Sequence, residues 1–264
     1  MAGTDQTSKD FIQIIDLRKS YGDNHVLRGV DMVVSRGETT VIIGGSGAGK
    51  TVLLKHVIGL EKPDSGQVIV DGEDITVMND VALGRVRRKF GMVFQFGALF
   101  DSMSLFDNVA FPLREHAHLK PREIRERVMN MLRLLGLDDA WNRFPGDLSG
   151  GMRKRGGVAR ALIMEPGILI YDEPTTGLDP LAARNVDQLI VETAARFKVT
   201  SLVITHDMTT CFGVGQKVNV LYEGRIAFTG APADLAVSSE PVVRQFLGSS
   251  GVSMDRVKPL IASS

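Results

Sequence analysis

The chain is short of cysteine, of net charge and of long apolar runs, and each shortage removes a class of protein. Cys211 is the only cysteine in 264 residues, so no internal disulfide can form and a reducing compartment is expected. Lys plus Arg and Asp plus Glu both number 31, so no one-signed field favours nucleic acid or an acidic membrane surface. Residues 1–10 are polar where a signal peptide carries its apolar core, and no stretch approaches the roughly 20 apolar residues that span a bilayer. A soluble, cytoplasmic chain is the expectation, without internal repeats or low-complexity linkers.

What the chain does have is 44% apolar residues, enough for one large α/β domain with a smaller inserted lobe. Residues 11–15, 30–34 and 39–43 read as strands separated by turns at Gly22-Asp23-Asn24 and Ser35-Arg36-Gly37. A helix is predicted over 51–59 and a short strand over 67–71. From 96 to 165 the pattern turns helical: Pro121 opens a segment with Ile124, Val128, Met131, Leu132 and Leu135 at helical spacing. Buried parallel strands are predicted at 168–171 and 201–205 around a helix at 181–197, then a hairpin at 218–228 and short helices over 232–246.

Four motifs carry chemistry. Gly44-Gly45-Ser46-Gly47-Ala48-Gly49-Lys50-Thr51 follows a predicted strand and fits the phosphate-loop pattern in full, with Val52 continuing into the helix. Its glycines let backbone N–H groups curl around phosphates; Lys50 reaches the β and γ phosphates and Thr51 ligates magnesium. The strand at 168–171 ends in Asp172, a magnesium ligand through water, and Glu173, a general base. Buried strands also end in acids for solubility alone, so order and distance after the glycine loop carry this reading.

Leu148-Ser149-Gly150-Gly151-Met152 opens a helix whose serine hydroxyl and glycine amides make an anion site, although the same start caps ordinary helices. No phosphate loop lies beside it in sequence, so a head-to-tail second copy supplies one. His206, after a strand, is placed to hold the γ-phosphate and the attacking water, and Gln95 to touch magnesium and water. Alone, His206 reads as structural and Gln95 as a surface amide. Tyr21 stacks on adenine or fills a core or interface; Asp179, shortly after the acids, is placed to carry information across a dimer, and alone it reads as an N-cap before Pro180.

Taken in order, Tyr21, the glycine loop, Gln95, the segment from Leu148 to Met152, Asp172-Glu173, Asp179 and His206 resemble the ATP-binding cassette family over most of the chain. The resemblance implies an α/β fold: a phosphate-loop (RecA-like) ATPase core at 11–95 and 166–247, with an N-terminal antiparallel β subdomain and an inserted α-helical subdomain at 96–165. A flexible start at 1–10 and a tail at 248–264 flank it. It also implies ATP and Mg²⁺ as cofactors, two copies closing around two ATP molecules, and a permease driven by hydrolysis. Gly156-Gly157 inside the signature helix costs about 1 kcal/mol per glycine relative to alanine, which close packing would compensate.

Phe94-Gln95-Phe96-Gly97-Ala98-Leu99-Phe100, the segment from Ser104 to Leu113, and Met152 in place of the family's usual glutamine resemble the Mla and Mce-associated lipid-transport ATPases. Leu99, Phe100, Leu105, Phe106 and Phe111 also serve as core of the lobe. Residues 241–248 resemble the tail region of the same group. The resemblance implies a bacterial lipid transporter at the cytoplasmic face of the inner membrane, with a second copy, an integral-membrane permease, a STAS-domain protein and an MCE-type lipid-binding protein as partners, and no nucleic acid. Another solute, efflux, or a slowly hydrolysing regulatory subunit are the alternatives the residues leave open.

Overall fold

The computed structural model describes residues 9–94 and 98–249. Gln95, Phe96 and Gly97, and the part of the C-terminal tail at 250–264, lie outside the described residues.

Strands β1 (Asp10–Tyr21) and β2 (Asn24–Ser35) form a long hairpin, and β4 (Ser65–Val70) and β5 (Glu73–Asp74) complete an antiparallel sheet in the order β2-β1-β4-β5. Both hairpin strands run past the predicted segments. The alternation of apolar residues breaks at Asp16, and there the chain makes a bulge: Asp16 takes a left-handed φ of 41°, Ile14 pairs with Met32, and Leu17 next pairs with Val30. The extra residue returns Leu17 to the interior, so the strand continues where the period appeared to stop.

The second sheet has six strands in the order β10-β9-β3-β8-β7-β6: β3 (Thr39–Ile43), β6 (Phe90–Phe94), β7 (Ile168–Asp172), β8 (Thr200–Thr205), β9 (Lys217–Tyr222) and β10 (Arg225–Gly230). All neighbours are parallel except the β9–β10 hairpin. Parallel strands buried on both faces are apolar at every position, as β3 shows. Ile42, Ile168, Ile170, Leu202 and Ile204 face the antiparallel sheet with helix α1 (Lys50–Val57), while Val41, Ile43, Leu169, Tyr171 and Val203 face the opposite layer.

That layer contains α3 (Leu105–His116), α4 (Pro121–Leu134) and α5 (Gly150–Leu162) of the helical lobe, then α6 (Pro180–Phe197) and α7 (Met208–Val214). Gly156 of α5 has its compensation: an added Cβ would stand 2.8 Å from Leu105 Cδ1 and 3.2 Å from Leu99 Cδ1, so α3 packs directly on the α5 backbone. Cys211 is fully buried. The helices α8 (Pro232–Val237) and α9 (Pro241–Ser249) follow the hairpin, α9 reaching two residues into the range read as tail. Helix α2 (Asp80–Arg87) escaped the sequence reading because only Leu83 and Val86 are buried, too few for a visible period. Among the described residues no helix is long and apolar enough to cross a membrane.

Candidate functional site

Three adjacent parallel strands end together. Ile43 of β3 is level with Thr205 of β8, and Asp172 of β7 with Ile204 of β8. The glycine loop, His206 and Glu173 therefore leave the sheet side by side at its carboxyl edge, where ligands of open α/β sheets bind.

The loop needs its glycines for different reasons. A Cβ on Gly44 would sit 2.4 Å from the Leu221 carbonyl oxygen, and Gly49, at φ 103°, lies against Val26 and Leu27. Around Gly45 and Gly47 an added Cβ meets nothing within 4 Å, so their backbone is open to approach. Ser46 is exposed and Ala48 half-buried between them. Helix α1 starts at Lys50 with no side-chain cap and no acid in its first turn, which leaves its orphan N–H donors for an anion. Thr51 is exposed on that turn, and the half-buried Val52 accepts a hydrogen bond at its carbonyl from His56 Nδ1 at 2.7 Å.

Lys50 Nζ donates to the carbonyls of Gly44 (2.8 Å) and Gly45 (3.2 Å) and stands 3.5 Å from Glu173 Oε1. The other carboxylate oxygen, Glu173 Oε2, accepts from Thr176 Oγ1 at 3.0 Å and from His206 Nδ1 at 2.8 Å. His206 presenting Nδ1–H to the carboxylate leaves Nε2 as an acceptor. Glu173 holds a left-handed φ of 48° and donates its N–H to Ile204 O at 2.8 Å. A non-glycine residue there stores on the order of 1–3 kcal/mol of strain, and it aims the carboxylate at the lysine and histidine. Burial, and then the neighbouring Glu173, raise the Asp172 carboxyl above its ordinary value, with Lys50 partly offsetting them. Two adjacent acids, one of them raised by burial, beside an uncapped helix start and an exposed hydroxyl at Thr51 are the donor set a hard divalent cation with phosphates takes up.

Gly45, Ser46 and His206 also share a cavity of about 480 Å³ with Thr175, Gly177 and Asp207. Leu148, Ser149, Gly150, Gly151 and Met152 do not line it. Ser149 caps α5, accepting from Met152 N at 3.3 Å; Leu148 is buried, and Gly150 and Gly151 are exposed with open space beyond them. Asp179 caps α6 through Leu181 N and Ala182 N. Tyr21, at the hairpin end, does not line this cavity; it is 45% exposed and donates its hydroxyl to Glu61 at 2.5 Å, which pushes the phenol up to about 12. Thr176 and Glu61 were missed from sequence, because a threonine or glutamate in a loop carries no pattern until its partner is placed. Leu105 of the lobe is buried, while Phe94 at the end of β6 and Phe100 and Phe144 of the lobe are exposed, so the apolar segment divides between core and surface.

A phosphate loop, two carboxylates at the neighbouring strand end and a histidine beside them define a nucleotide-hydrolysing cassette. The family model described as "ABC transporter" matches residues 27–176. The chain belongs to the ABC transporter family and is its ATPase component. It is 44% identical over 236 residues to the "Probable ribonucleotide transport ATP-binding protein mkl" of Mycobacterium tuberculosis, covering 89% of this chain and 66% of that protein. The chain thus spans just under two thirds of that relative's length. It is 37% identical over 243 residues to the "Intermembrane phospholipid transport system ATP-binding protein MlaF" of Escherichia coli, covering 92% of this chain and 90% of that protein. The ATP-binding cassette MJ0796, solved as a dimer in a post-hydrolysis state with ADP and Pi, superposes with a TM-score of 0.71 at 29% identity, over 84% of this chain and 98% of that one.

Proposed function

We propose that this chain hydrolyses ATP in a bacterial transporter that moves phospholipid or another lipid, as a homodimer held at the cytoplasmic face of the inner membrane by an integral-membrane permease. The observation that carries the lipid reading is the nearly end-to-end match to MlaF, 92% of this chain against 90% of that protein. The dimeric MJ0796 cassette supports the two-copy arrangement. A STAS-domain protein and an MCE-type lipid-binding protein complete the proposed assembly.

In this reading the loop from Gly44 to Thr51 binds the phosphates with its backbone N–H groups, and Lys50 turns from the Gly44 and Gly45 carbonyls toward them. Tyr21 stacks on adenine. Glu173, already aimed by its left-handed backbone and held by Thr176, takes the proton of the attacking water, while His206 fixes the γ-phosphate and that water in line. Thr51 and Asp172 would hold Mg²⁺, with Gln95 as a further ligand, and the bound ion would supply positive charge to the phosphate oxygens. The exposed Ser149 helix start of one copy closes on the nucleotide of the other. Asp179, at the start of α6, reports that closure across the dimer. Phe94 and Phe100, on either side of Gln95 in the sequence, offer the permease an apolar landing.

The name of the mycobacterial relative favours a second reading, a ribonucleotide or other solute. Gentle solubilisation of native membranes, capture of this chain and mass spectrometry of bound proteins and lipids separates them. Lipid with an MCE-type protein and a permease is the expected result. A soluble solute-binding protein or an efflux permease would replace the substrate, and the lack of any membrane partner would favour a regulatory subunit.

A further inference from the structure

Tyr21 ends β1 at the hairpin turn, and two contacts fix how its ring sits. Its hydroxyl donates to Glu61 Oε1 at 2.5 Å, 40 positions further along the chain. Lys19 Nζ stands over the ring, 5.5 Å from its centroid and within reach of a cation–π contact. The same ammonium donates to the Lys62 carbonyl at 2.9 Å and lies 3.5 Å from both Glu61 Oε1 and Asp64 Oδ1. Asp64 accepts from Ser20 N at 2.6 Å and donates its own N–H to the Arg18 carbonyl at 2.9 Å. Residues 18, 19, 20 and 21 are thus each gripped by the short segment 61–64 between α1 and β4. Glu61 is anchored in turn, since its N–H donates to the Lys55 carbonyl of α1 at 3.3 Å. That helix begins at the phosphate loop.

The Lys19 and Glu61 side chains are 15% and 21% exposed, whereas Tyr21 is 45% exposed. The ring is therefore held by its hydroxyl and by one face while much of it stays open. Contacts this near to solvent add little to stability, because water replaces either partner. Their larger effect is to remove rotamers from an aromatic side chain that would otherwise turn freely. The hairpin also reaches the phosphate loop: Tyr21 pairs with Asn24, and two residues further on Val26 lies against Gly49, whose added Cβ would stand 3.3 Å from Val26 Cγ1.

We propose that Glu61 is a positioning residue for nucleotide affinity, holding the Tyr21 ring in the orientation that stacks on adenine. The inference rests on the stacking role read above for Tyr21. A ring locked before the nucleotide arrives loses little freedom when it binds, so the tether strengthens the contact to the base and leaves the phosphate contacts as they are. What the phenol needs from position 61 is an acceptor. The same hydrogen bond is the largest cause that holds the Glu61 carboxyl below its ordinary value, with Lys19 acting in the same direction and desolvation against it.

The test uses the full chain with magnesium and calorimetric titration of two probes, ATP and inorganic tripolyphosphate, which lacks the base. Tyr21→Ala removes the ring and is expected to weaken ATP about tenfold. Tyr21→Phe and Glu61→Ala keep the ring and cut the tether. Each is expected to weaken ATP about threefold, the double variant no more than either, and Glu61→Ala to bind tripolyphosphate as the wild type does. Glu61→Gln keeps an acceptor at the same reach and is expected to recover most of the ATP affinity. Equal weakening of ATP and tripolyphosphate by Glu61→Ala, or additive losses in the double variant, would overturn the inference. So would wild-type ATP affinity in both Tyr21→Phe and Glu61→Ala beside a weakened Tyr21→Ala. Wild-type affinity in Tyr21→Ala would overturn it together with the stacking reading beneath it.

Discussion

At the scale of single residues, Glu173 is the centre of the site. It meets Lys50, Thr176 and His206 within 3.5 Å and carries the left-handed backbone that points it there. Glu173→Gln is expected to lower ATP turnover by about 10²- to 10⁴-fold while nucleotide binding persists, measured by phosphate release and by fluorescent-nucleotide titration. Lys50→Ala is expected to act the other way, weakening nucleotide affinity because the phosphates lose their charged partner; unchanged affinity would count against its role. Asp187 offers a stability experiment that needs no turnover. Its folded-state pKa of about 7 lies above the ordinary 3.8, so its favourable contribution is complete below about pH 4 and is lost as pH rises through about 7. Above that, the buried carboxylate costs on the order of 4 kcal/mol. The stability of Asp187→Asn relative to wild type should therefore climb between about pH 4 and about pH 7, and parallel denaturation curves would refute the burial argument.

At the scale of elements, what the sequence made legible follows from how locally each signal is encoded. The phosphate loop, the β7 strand with its two acids and the β9–β10 hairpin were readable because glycine chemistry and unbroken apolar runs specify them within a few residues. The far halves of β1 and β2 were not, since the bulge at Asp16 reverses the period partway along the strand. Helix α2 lay below the threshold of any pattern, and α3 hides behind Pro112 inside its own length. Contacts such as Tyr21 with Glu61, or Thr175 with Thr210, join residues 40 and 35 positions apart and exist only once the sheets are assembled. The hairpin turn shows the cost of such assembly: Gly224, at φ 75°, would place a Cβ 2.3 Å from the Val26 carbonyl oxygen of β2. Gly224→Ala is expected to destabilise the chain by about 2 kcal/mol or more, from backbone strain and from displacement of one sheet against the other, read as a lower denaturation midpoint.

At the scale of the whole molecule, the proposed division of the nucleotide site between two copies follows from where the architecture places its parts. The carboxyl ends of β3, β7 and β8 gather the loop, the acids and the histidine in one copy, while the exposed Ser149 helix start does not line the cavity beside Gly45, Ser46 and His206. In the proposed cycle a single chain presents two half-sites, and closure of a second copy over the first unites them. Phe100 and Phe144 of the helical lobe are exposed, while Leu105, Val109 and Leu113 of α3 share one core cluster with Val158, Ala159 and Leu162 of α5, so in the proposed cycle the lobe would follow α5. The most direct test is the oligomeric state of Glu173→Gln by analytical ultracentrifugation with and without ATP and magnesium. The account predicts a dimer that forms with ATP and is lost when Ser149→Arg is added. A chain that stays monomeric with ATP, while the wild type hydrolyses it at full rate as a monomer, would contradict the shared site.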